Sequence, residues 1–108
     1  MGLKAIFDQC QKLKFCEQRY NSEDYKEIVF FSVDLPKWQQ IFESRFGPAQ
    51  KPAGKEPDAD QVSLTENFGG IYRHQTLFTG KENTCQVMVM FWPWEDQKHI
   101  TLKMAVCQ

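Results

Sequence analysis

The stretch Thr84–Gln108, TCQVMVMFWPWEDQKHITLKMAVCQ, decides how the chain is read. It divides into two strands, Cys85–Trp92 and His99–Val106, about a turn centred on Glu95 and Asp96. In that register Phe91 opposes Ile100, Val89 opposes Leu102, Val87 opposes Met104 and Cys85 opposes Val106, so one face is apolar throughout. The other face sets Trp92 against His99, Met90 against Thr101, Met88 against Lys103 and Gln86 against Ala105. A slip of one residue would place apolar side chains opposite polar ones, which a buried face forbids. The hairpin therefore has one dry face and one mixed face.

Working outward, Ile71–Thr79 (IYRHQTLFT) reads as the preceding strand, with Gly80–Asn83 turning into the hairpin. Pairing Phe78 with Cys85 sets Thr76, His74 and Tyr72 beside Val87, Val89 and Phe91. Gln61–Glu66 is either a short strand or one turn of helix before Asn67–Gly70. Residues 48–60, PAQKPAGKEPDAD, carry three prolines and Gly54 without one large apolar side chain, and read as an exposed, mobile loop. Before it, Trp38, Ile41, Phe42 and Phe46 form a helical stripe over Leu35–Phe46. Asp34 offers an N-cap oxygen, Pro36 suits the first turn, and Gly47–Pro48 ends the helix.

Tyr25–Val33 is apolar on both faces at Ile28–Phe31, the pattern of a strand that is central or covered on both sides. Leu3, Ile6, Phe7, Cys10 and Leu13 recur at helical spacing, which predicts a helix over residues 3–13. Residues 14–19 extend that helix or run irregularly; the competing reading makes Phe15–Tyr20 a strand hairpinned onto the next segment. The fold class predicted is α+β. It has an antiparallel sheet of about four to five strands, a C-terminal meander and two helices packed on one face. Residues 1–108 are expected to form a single domain.

Composition narrows the function classes. Thirteen basic and fourteen acidic residues give a net charge of −1, with no basic stripe, so no nucleic-acid partner is expected. No apolar run approaches the roughly 20 residues that cross a bilayer, and no membrane association is expected. MGLKAIFDQC has neither an apolar core segment nor a small-residue cleavage site, and Ile6 stands where myristoylation wants Ser or Thr. The expected location is the cytoplasm, with Cys10, Cys16, Cys85 and Cys107 as reduced thiols.

The cysteine spacing contains no C-x-x-C pair, and the two histidines, His74 and His99, fall on opposite sheet faces. No metal site, catalytic residue or cofactor is predicted. Asn67–Gly70 precedes a strand rather than a helix, so its glycines suit a turn better than a phosphate cradle. The mixed hairpin face carries the functional expectation. Met88, Met90, Trp92, Trp94, Thr101 and Lys103 would form an exposed patch if helices cover only the dry face. Such a patch is covered by another part of the chain, by a second copy, or by a ligand. The main reading is a non-enzymatic interaction domain that self-associates through this face, with Met90→Glu expected to leave the fold intact. The alternative is a small-molecule binder or enzyme with a pocket between sheet and helices, lined by Trp38, Tyr72, Arg73 and His74.

Overall fold

The computed structural model describes residues 3–82 and 84–107. In chain order it contains α1 (Lys4–Cys10), β1 (Glu17–Asn21), β2 (Tyr25–Phe31), α2 (Leu35–Phe46), α3 (Ala59–Thr65), β3 (Thr76–Glu82), β4 (Cys85–Pro93) and β5 (His99–Cys107). The strands form one antiparallel sheet in the order β1-β2-β5-β4-β3. The fold is α+β with a C-terminal β3-β4-β5 meander, as the hydrophobic patterning predicts.

The dry face holds the larger core. Ile28 and Phe30 of β2, Phe78 of β3, Val87, Val89 and Phe91 of β4, and Ile100, Leu102 and Met104 of β5 pack against Leu3, Ile6, Phe7 and Cys10 and against Trp38 and Phe42. Phe91 makes edge contacts with Phe30, Phe42 and Phe78, and Phe30 stacks on Trp38 at 4.7 Å. These ring geometries add to simple area burial. At the far end of α2, Phe46 packs so closely on β3 that a Cβ at Gly80 would lie 2.3 Å from its ring. That contact is why a glycine sits within β3 rather than in the turn after it.

Several boundaries differ from the sequence reading for local reasons. α1 stops at Cys10 because Lys12 and Leu13 donate to the Gln9 and Cys10 carbonyls, tightening the last turn. Residues 17–21 are a strand: β1 pairs with β2 across a bulge between Gln18 and Tyr20, and all five of its residues are exposed. Asp34 makes no side-chain cap; it belongs to a short 3-10 turn, Ser32–Asp34, and sits 3.9 Å from Lys37.

The hairpin keeps its faces but shifts its pairing. Phe91 opposes Leu102 and Trp92 opposes Thr101, an even slip that moves no side chain to the other side. The reason lies in the loop. Asp96 accepts backbone N–H groups from Lys98 and His99 at 2.8 and 3.1 Å, and Gln97 takes a positive φ of 61°. This Asx-type turn closes at the Trp94 N–H to His99 carbonyl bond of 2.9 Å. β3 slips similarly: Phe78 opposes Val89, and the strand starts at Thr76, so Tyr72 and His74 precede it.

α3 is a helix where Gln61–Glu66 left strand and helix open. Asp58 and Gln61 form a reciprocal capping box, with bonds of 2.8 and 3.0 Å. Leu64, Phe68 and Ile71 follow it onto the mixed face of the sheet.

Candidate functional site

The mixed face divides into a covered half and an open half. On the covered half Met88 and Met90 are 0% exposed, packed with Leu77, Ala105 and Ile71 beneath Leu64 and Phe68. The expected exposed Met-rich patch is therefore an internal one. What covers it is the segment from Pro48 to Gln75; its first part, residues 48–60, reads as a mobile loop because the apolar anchors lie beyond the proline-rich stretch. The capping box Asp58-x-x-Gln61 and the later Leu64, Phe68 and Ile71 are the signal that marks this cover.

A buried lysine ties the cover to the sheet. Lys51 makes a β-bridge to Leu77, with backbone bonds of 2.9 and 3.2 Å, along the outer edge of β3. Its ammonium is fully enclosed and donates to the carbonyls of Pro52 (3.0 Å), Arg73 (2.8 Å) and Gln75. Those three acceptors use every N–H that an ammonium owns. Burial pushes its pKa down, and Glu56 opposes that shift.

The open half lies over β1, β2 and the hairpin tip. Trp94 folds back across it, its indole N–H donating to the Thr101 hydroxyl at 2.7 Å. Thr101 and its ladder neighbour Val29 are almost fully buried. Rings then follow in a row: Arg19 lies 5.4 Å over Trp94, Trp94 lies 4.7 Å from His99, and His99 lies 5.5 Å from Phe31. Arg19 reaches Trp94 from the β1 bulge, which re-aims its side chain. The row ends at Val33, 81% exposed, beside a cleft of about 340 Å³ lined by Phe31, Ser32, Val33, Gln97, Lys98 and His99.

His99 is held by Asp96, Nδ1 to Oδ2 at 2.6 Å. The backbone N–H of Lys98, then the His99 side chain, hold the Asp96 carboxyl below its ordinary value. Ser32 donates its hydroxyl to the Gln97 carbonyl at 2.9 Å. Burial pushes the Cys10 thiol up to about 12 and also raises Cys16 and Cys107, away from the thiolate. Among the described residues no group of three His, Cys, Asp or Glu side chains is placed to hold a metal ion.

The remaining members of the mixed face meet at the boundary of the two halves. Lys103 sets its ammonium 3.4 Å above the Trp92 ring centre and donates to the Phe68 carbonyl at 3.1 Å. Trp92 lies against Gly69, where a Cβ would stand 2.4 Å from the indole, and Gly69 has φ +100°. Of the six residues expected to form a binding patch, Trp92, Trp94 and Lys103 reach the surface in part, Thr101 lies beneath Trp94, and Met88 and Met90 do not reach it.

The alternative pocket is not assembled. Trp38, on α2, is fully buried in the core against Phe30, whereas Tyr72, Arg73 and His74 are exposed in the turn before β3. Tyr72 lines a separate cleft with Pro57, Val62 and Ile71. His74 stays outside the sheet because β3 begins two residues after it.

Comparison with protein-family models gives no match, and neither curated proteins nor solved structures show a significant similarity to this chain.

Proposed function

We propose that this protein is a non-enzymatic interaction module that self-associates through the open half of its mixed sheet face. The observation that carries the reading is the row Arg19–Trp94–His99–Phe31 running out to the exposed Val33. Trp and Arg are the side chains that dominate protein interfaces, and a stacked row presents them at little cost in conformational entropy. A two-fold interface needs a patch that complements itself. This one carries both signs, Lys98 with Arg19 and its neighbour Glu17 at 3.4 Å, and Asp96 with His99, so it can complement itself across a two-fold axis.

Helix α3 and its flanking segment remove the methionines from this surface, so the test uses the rim. Val33→Glu alters a residue with no packing role, and should leave the unfolding midpoint unchanged. Sedimentation velocity from micromolar to millimolar protein should show a concentration-dependent dimer for the unaltered chain and a monomer for the variant. A chain that remains monomeric throughout that range contradicts the proposal.

A further inference from the structure

At the boundary between the covered and open halves, Tyr20, Ser22, Tyr25, Asn67, Phe68 and Lys103 line a cleft of about 420 Å³. We propose that this cleft binds a small planar aromatic carboxylate, its ring lying against the open sides of the Tyr20, Tyr25 and Phe68 side chains and its carboxylate on the Lys103 ammonium. The site lies apart from the Trp94–Val33 row and does not depend on self-association.

The aromatic walls are already arranged. Tyr25 and Phe68 are stacked nearly parallel, 13° apart with centroids at 5.8 Å, and Tyr20 meets Tyr25 edge-on at 5.5 Å. Tyr20 is 56% exposed. A flat π system fits such walls because offset and edge contacts both suit it. The volume falls in the range of small-molecule sites, which combine apolar lining with a few placed polar groups.

Charge selects the other end of the ligand. The Lys103 ammonium spends one N–H on the Phe68 carbonyl and presents another to the Trp92 face. Its third donor is uncommitted, and among the described residues it forms no ion pair. The carboxylate opposite it in the ladder, Glu27, accepts the Tyr25 hydroxyl at 2.6 Å and acts on Lys103 through space, opposing the lowering of its pKa by burial, without forming an ion pair. A half-buried cation with a free donor is completed by an anionic acceptor, and the charge-assisted bond gains strength from the low local polarity. One lysine suits a monoanionic carboxylate; a phosphate would call for several cationic donors. The other polar groups at the rim fit a neutral flank: Ser22 Oγ is engaged with the Tyr25 backbone, and Asn67 adds an amide.

The test is an amide-resolved NMR titration at protein concentrations where the chain is monomeric, using indole-3-acetate, its neutral amide, and cyclohexylacetate. Saturable shifts at Tyr20, Tyr25, Asn67 and Phe68 with indole-3-acetate are expected, with both analogues about tenfold weaker or more, the loss of one charge-assisted bond or of the ring contact. Lys103→Met, which keeps the stem's bulk over Trp92, should bring the acid down to the affinity of the amide. Equal binding of acid and amide to the unaltered chain overturns the proposal even if the variant fails to fold. So does equal binding of cyclohexylacetate, or an absence of shifts at the cleft. Val33→Glu should titrate like the unaltered chain, so failure of the self-association reading leaves this result distinct.

Discussion

The ammonium of Lys51 lies 2.8 Å from the backbone carbonyl of Arg73, and this contact joins the start of the covering segment to its end. Lys51 bridges Leu77 through its backbone at the same place. The sheet's second core is therefore closed by one polar clasp. Residues on both sides of α3 converge on it, which is why a proline-rich stretch can hold a fixed course over Met88 and Met90.

Replacing Lys51 by Met tests the clasp. The Arg73 carbonyl also accepts from the Gly54 N–H, and the Pro52 carbonyl from Lys55, so Gln75 is the carbonyl left most exposed to the loss. The cost expected is about 2 kcal/mol, the scale of a lost bond to a charged donor. Urea unfolding gives the magnitude, and hydrogen exchange should quicken between residues 48 and 77 while α1 and α2 keep their protection. Unchanged exchange in that segment would show that packing alone holds it.

Met90→Glu separates the structure from the sequence reading most directly. On an exposed patch the change is harmless; with Met90 fully buried it places a carboxylate in an apolar core. Destabilisation of about 4 kcal/mol or more is expected. Met90→Leu, close in volume, should cost less than about 1.5 kcal/mol. Denaturant midpoints of the two variants decide the matter.

Gly69→Ala adds a Cβ 2.4 Å from the Trp92 indole at a backbone φ of +100°. Both the clash and the left-handed conformation disfavour it, together costing about 1–3 kcal/mol. Because Trp92 also supports the Lys103 ammonium, the indole emission should shift with the loss in stability. Gly54→Ala makes a control: φ is also positive, but no atom stands within 4 Å of the new Cβ.

The hairpin tip should loosen in acid. Asp96 is held below its ordinary 3.8 by the Lys98 N–H first and the His99 side chain next. Its folded form thus binds its proton less readily than the unfolded chain does. The contribution is complete above the unfolded value and is lost as pH falls through the lowered folded one. Amide shifts of Lys98 and His99 should titrate together in that acid window. In Asp96→Asn that shared titration should disappear.

The pattern of apolar residues made much of this legible. Alternation in Cys85–Val106 assigns each hairpin residue to its face whatever the turn does, since an even slip conserves sides. The stripe Trp38–Ile41–Phe42–Phe46 places α2 within a residue of its ends, and the two-sided Ile28–Phe31 run marks β2 as flanked on both edges. β1 stayed the competing reading of residues 15–20, a strand hairpinned onto the next segment, because Glu17–Asn21 has no apolar face; β2 offers it the ladder that makes it a strand.

The sequence by itself determined the fold class and the two-faced hairpin, because those follow from periodicities that a local window contains. Tertiary structure alone decided which part of the mixed face meets solvent. The cover depends on a capping box, three apolar anchors and a lysine whose carbonyl partners lie up to twenty-four residues away. Partners at such separations leave no periodic trace, and a charged side chain in a proline-rich stretch reads as solvated until the chain folds around it.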